Sequence, residues 1–380
     1  MKQPAGKQKP PRKKRLGWKS KTLIGTTVVF GAAGAGLYYA GNKLAEMEAA
    51  IDQDNMQEIC VTVGQPPIYQ KDSLMNAFNT RLSDVFNALQ NSPLGKNLYD
   101  IAEEHSLPVC YMNEISQAIH AHAFFNPNNP VHMGYSFNMI SGSKHSAAQT
   151  TAHEFYHFYQ LLNARDAFFL PANANFTDKL LALMVMEAGA KTVGTMVLHE
   201  MDLSEAETVR RFRLNSNERE NLQWYGKFLQ RYEDQPAEEA RISAARDMMR
   251  HLLTGDVLYD SWRAGYMKRL YLNNYVADGE NAPPDQEIFR HLQNSLSGPH
   301  RTQFGLQRLS ALTKLPDGGN IMPENITLND IIGAMQNTVK EVVEHHELWP
   351  ERYQPTPAAS SDIAPPAAQK AAEWRNRPRL

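Results

Sequence analysis

Between Lys179 and Lys191 the chain carries one charge, Glu187, inside Leu-Leu-Ala-Leu-Met-Val-Met-Glu-Ala-Gly-Ala. Residues 178–201 read as a helix. A lone carboxylate in an apolar helix is expensive unless it is paired or bound to a cation. The small residues 188–190 that follow it let a second helix come close. The fold must therefore bring Glu187 a partner, which can be a metal ion or, more plainly, a buried Arg or His.

A candidate partner lies upstream, in His153-Glu-Phe-Tyr-His157 within a helical segment at 151–162. Residues four apart on a helix share a face, so His153 and His157 can bind one Zn²⁺ through imidazole nitrogens. Glu154, next along, can reach a water at the metal without being a ligand, which suits a general base. With 13 His in 380 residues the five-residue pattern alone is not rare enough to decide. A catalytic zinc takes three protein ligands and keeps one position open. The extended motif would supply a third His, but Gln160 stands at its glycine position and Asn163 at its last. Glu187 is the best remaining third ligand. Glu200 is weaker, because its surroundings are polar.

Seven of the 13 His fall between 105 and 157. His120 and His122 alternate on a strand-like run and read as ordinary surface or core residues. His145, just before the motif helix, is a candidate contact to substrate or ligands. For an oxyanion donor, Tyr259, Tyr266, Tyr271, Tyr275 and His251 all qualify by type, and the sequence does not choose among them.

His-Glu-x-x-His on one helix and a Glu on the next resemble the gluzincin branch of the zincin metallopeptidases, most nearly its compact bacterial domains. The resemblance spans roughly residues 105–200. It implies His153, His157 and Glu187 as zinc ligands, Glu154 as general base and a peptide or protein substrate. It also implies a small sheet before the motif helix, with an edge strand along the substrate. Residues 121–125 and 131–135, joined by Asn-Pro-Asn-Asn-Pro, form a matching hairpin-like stretch. The segment around Glu187 lacks the Asn-Glu-x-x-Ser-Asp form of thermolysin-like enzymes. The expected fold class is α+β and mostly helical: a zincin-like domain with a small sheet, then a helical C-terminal part. Beyond the segments above, helices are expected at 73–90, 204–231, 242–253, 259–271 and 328–349. Ser204 and Glu207 have capping-box spacing.

Nine of the 39 Lys and Arg fall in residues 1–21, which hold no acid; the rest has 30 basic against 41 acidic residues. An acidic body speaks against nucleic-acid binding. Residues 22–41 carry no charge and are about long enough to span a bilayer. The basic side stays cytoplasmic by the positive-inside rule. The expected organisation is a basic tail (1–21), a transmembrane signal anchor (22–41), a stalk (42–58), the zincin-like domain (59–350) and a polar Ala/Pro-rich tail (351–380). That places the body on the periplasmic side of a bacterial inner membrane. A cleaved signal peptide ending at Ala33-Gly-Ala35 is the competing reading. The two cysteines, Cys60 and Cys110, form a disulfide or stay as two small buried thiols. The function expected is zinc-dependent peptide hydrolysis. Its rivals are a tethered zincin-like domain that holds zinc or a partner without cutting, and a scaffold in which the motif is accidental.

Overall fold

The computed structural model describes residues 60–65, 73–112, 123–127, 131–135, 143–171, 174–201, 216–255, 260–276, 283–297, 302 and 305–344. The expected tail, anchor and stalk, the 351–380 segment, the Ser204/Glu207 cap, His120, His122 and Tyr259 lie outside them. The protein is mostly helical with one small mixed sheet.

The sheet has four strands, β1 (Cys60–Thr62), β2 (Pro108–Tyr111), β3 (Ala123–Asn126) and β4 (His132–Tyr135), in the order β1-β2-β4-β3. β1 and β2 are antiparallel, β2 and β4 parallel, and β3 and β4 antiparallel with Phe125 opposite Met133. The hairpin-like stretch is thus β3 and β4. A Cβ on Gly134 would lie 2.3 Å from the Phe124 ring, so glycine is what lets Phe124 cross over β4. Cys60 pairs in register with Cys110, and the two form a disulfide. It closes a loop of sequence separation 50. Confining a loop of that size in the unfolded chain is worth about 4 kcal/mol in the chain-entropy account. A C60S/C110S double variant should lose stability of that order in denaturant titration, and a loss below about 1 kcal/mol would contradict a clamping role.

Between β1 and β2 come α1 (Ser73–Leu89) and α2 (Pro93–Glu104). The second lies beyond the helices expected there, at Ser92-Pro93-Leu94-Gly95. That segment is a helix start: Ser92 accepts from the Gly95 N–H and Pro93 takes the first turn. After the sheet come α3 (Lys144–Asn163), the short α4 (Arg165–Phe168) and α5 (Phe176–Glu200). Then follow α6 (Ser216–Gln230), α7 (Ala237–Thr254), α8 (Asp260–Tyr275), α9 (Asp285–Ser297), α10 (Leu306–Leu309), a 3-10 turn (Ser310–Thr313) and α11 (Leu328–Glu344). α9 also went unexpected, squeezed between Gly- and Pro-rich loops.

α5 is the axis of the fold. Asn175 caps it, accepting from the Asp178 N–H at 2.8 Å. Every residue from Leu180 to Ala190 is buried, Glu187 included. α5 is the one helix among the described residues long and apolar enough to cross a membrane, yet 94% of its most apolar stretch is buried. It is a core helix, apolar on all sides because other helices surround it. α3 packs along it, as do α2, α6, α7, α8 and the 3-10 turn. α3 is held on its far side by α1, α2 and β3. The close crossing of α3 and α5 uses Gly194, where a Cβ would lie 3.1 Å from the Gln149 carbonyl and 3.6 Å from the His153 Cβ.

Candidate metal centre

α3 presents His153 and His157 on the face that meets α5, and α5 presents Glu187 to them. Their Nε2 atoms lie 3.1 Å apart. Glu187 Oε2 is 3.4 Å from His153 Nε2 and 3.5 Å from His157 Nε2. Ligands about 2.0–2.1 Å from a tetrahedral zinc sit roughly 3.3–3.4 Å from one another, so the three atoms form one face of such a tetrahedron. Among the described residues this is the one group of three or more His, Cys, Asp or Glu whose ligand atoms converge so closely.

The tautomer of His157 follows from its neighbour. Gln160 donates its amide N–H groups to the carbonyls of Met186 at 3.1 Å and Leu312 at 2.7 Å. Its Oε1 must then face His157 Nδ1, at 2.8 Å, and accept that proton. The lone pair of His157 is left on Nε2, aimed at Glu187 and His153. This is the arrangement of a metal-ligating imidazole, with its other nitrogen donating to an outer partner. Tyr156, on the same helix, reaches the Lys314 carbonyl at 2.9 Å and so binds α3 to the same late segment.

The electrostatics of the cluster suit a bound cation. Glu154, His157 and Glu187 are fully buried, whereas His153 keeps 15% of its side chain exposed. Oε1 of Glu187 has no hydrogen-bond partner, and the Glu154 carboxyl meets the Phe125 backbone without a well-formed hydrogen bond. Burial pushes the Glu154 carboxyl up to about 8, helped by the Glu187 charge and opposed by His157 and the Phe125 backbone. Burial likewise disfavours the charge on Glu187, but His157 and His153 outweigh it and hold the carboxyl below its usual range. Burial lowers the pKa of His153; for His157 the nearby Glu187 carboxylate overrides burial and raises it. Glu187 thus keeps its charge beside two imidazoles, with Lys191 and Arg269 also acting on it, while Glu154 is held mostly neutral near pH 7. Such a charge is tolerated in a protein interior when a cation offsets it. The donor set of two imidazoles and one carboxylate suits Zn²⁺.

Of the expected site residues, His153, Glu154, His157 and Glu187 come together. Glu200 does not: its Oε2 accepts from the Ser92 hydroxyl at 2.6 Å and the Leu94 N–H at 3.0 Å, capping α2. His145 sits in the first turn of α3, where burial, then the charges of Lys144 and Arg81, push it down to about 4. Among the expected oxyanion donors, Tyr271 and Tyr275 pack against His291, and His251 packs against Trp224. Among the described candidates Tyr266 alone reaches the cluster, its hydroxyl donating to Glu187 Oε2 at 2.9 Å. Sequence reading saw Gln160 only as a departure from the extended motif. Its position three residues after a ligating His was the available signal.

No protein-family model, curated protein or solved structure matches the chain.

Proposed function

We propose that the protein is a zinc metallopeptidase of the gluzincin type, with His153, His157 and Glu187 as ligands and Glu154 as general base. The observation that carries this reading is the convergence of those three ligand atoms beside a fully buried carboxyl, Glu154. Zinc held there would polarise a peptide carbonyl and lower the pKa of a water towards about 7. Glu154 then accepts the proton of the attacking water and returns it to the leaving amine. Gln160 keeps the His157 lone pair directed at the site. β3 ends the sheet among the described strands, and its Phe125 backbone lies towards Glu154. An extended peptide added to that edge would bring its backbone past the general base.

The disulfide favours an oxidising compartment, as expected for a body exported behind an anchor at 22–41. We place the catalytic domain on the periplasmic side of a bacterial inner membrane.

The enclosure of Glu154, His157 and Glu187 favours a second reading, a domain that holds zinc without cutting. Purified protein assayed on a broad peptide library separates the two. Cleavage that stops on chelation and returns with zinc is expected. One zinc per chain with no cleavage of any peptide would select the silent domain.

A further inference from the structure

We infer that Tyr266, steadied by Trp262 and Arg269, is a positioning residue that fixes Glu187 as the third ligand. This rests on the zinc-site reading above. Glu187 is the only one of the three ligands that does not come from α3, and its chain is flexible beyond Cβ. Met184, Met186, Ala188 and Ala190 around it on α5 carry no hydrogen-bonding side chain, while Lys191, one turn on, feels its charge. The orienting contact comes from α8, which packs on α5. An ionised carboxylate only accepts hydrogen bonds, so the 2.9 Å contact has the Tyr266 hydroxyl as donor and Glu187 Oε2 as acceptor. That oxygen is the one directed at both imidazoles. The hydroxyl therefore selects which carboxylate oxygen faces the ligand group and leaves Oε1 out of it.

The Tyr266 ring is itself held. Trp262, four residues earlier on α8, meets it edge-on with centroids 5.1 Å apart. Arg269, three residues later, sets its guanidinium carbon 4.7 Å from the ring centroid. Both Tyr266 and Arg269 are buried. α8 thus supplies a stack of Trp262, Tyr266 and Arg269 that aims the Tyr266 O–H at Glu187, and the Arg269 guanidinium also hydrogen-bonds Tyr266 and feels the Glu187 charge. An oxyanion donor would need that proton for the substrate. Here it is committed to a ligand, so Tyr266 acts through Glu187.

Tyr266→Phe removes only the hydroxyl. Zinc affinity, measured by competition with a chromogenic chelator, should fall about 10–100-fold, the usual cost of losing an outer partner of a metal ligand. The d–d absorption of the cobalt-substituted protein should shift as the carboxylate reorients. Wild-type zinc affinity and an unchanged cobalt spectrum in the variant would overturn the inference. A lower kcat at unchanged affinity would also overturn it and identify Tyr266 as an oxyanion donor. If Tyr266→Phe does not fold, Arg269→Lys keeps the charge but loses the planar group on the ring; it should weaken zinc binding several-fold, and unchanged affinity would overturn the inference. Failure of the wild-type protein to bind zinc would instead remove the metal-site reading itself.

Discussion

Glu154→Gln is expected to bind one zinc per chain with wild-type affinity and to hydrolyse peptides about 10²–10⁴-fold more slowly, the range general-base catalysis contributes. The substitution keeps the size of a side chain that is wholly buried, so α3 has no reason to move. It also leaves the three converging ligand atoms untouched. What it removes is the carboxyl proton acceptor beside the ligand set. A neutral amide cannot take a proton from water at neutral pH. Metal analysis and steady-state kinetics on the same preparation read both halves. Retained hydrolysis in this variant would sink the mechanism, whatever its metal content.

His157→Ala is expected to do the reverse and lose the metal. It deletes the imidazole that is fully buried and fixed by Gln160. The fall in zinc affinity should exceed the roughly 10–100-fold cost of an outer-partner change. A second effect follows from packing. Gln160 is anchored by the Met186 and Leu312 carbonyls, so it cannot turn to find a new partner for Oε1. A buried acceptor left unsatisfied costs about 1–3 kcal/mol. The variant should therefore be less stable than wild type even when both are measured in chelator. Equal stability in chelator would mean that Gln160 relaxes. Wild-type zinc affinity would mean that His157 is not a ligand.

Much of this site is written in short-range patterns. The i, i+4 spacing of His153 and His157 fixes their common face as soon as the segment is helical. Glu187 stands out because a single charge in an apolar run needs an explanation. The alternating residues around the Asn/Pro turn mark β3 and β4, and Cys60 and Cys110 lie in runs that become adjacent strands. What escaped was set by contacts across long sequence distances. The tautomer of His157 depends on a carbonyl at Leu312, over 150 residues away, offered by a 3-10 turn with no distinctive composition. Tyr266 was one of several tyrosines and a histidine of equal standing until α8 was seen to pack on α5. Glu200 stood as a weaker third ligand on its polar surroundings, and its real partner, the start of α2, lies over 100 residues upstream. The burial of α5 on every side explains why its sequence passes for a membrane span: a central helix and a lipid-facing one obey the same apolar rule.

The central claim is that His153, His157 and Glu187 hold one zinc ion. It is tested most directly by diffraction at the zinc edge from crystals of zinc-loaded protein. The account predicts one anomalous peak between α3 and α5, within about 2.0–2.2 Å of the Nε2 atoms of His153 and His157 and of Glu187 Oε2. A map with no peak there, or a zinc bound by the two histidines with the Glu187 carboxylate turned away, would contradict it.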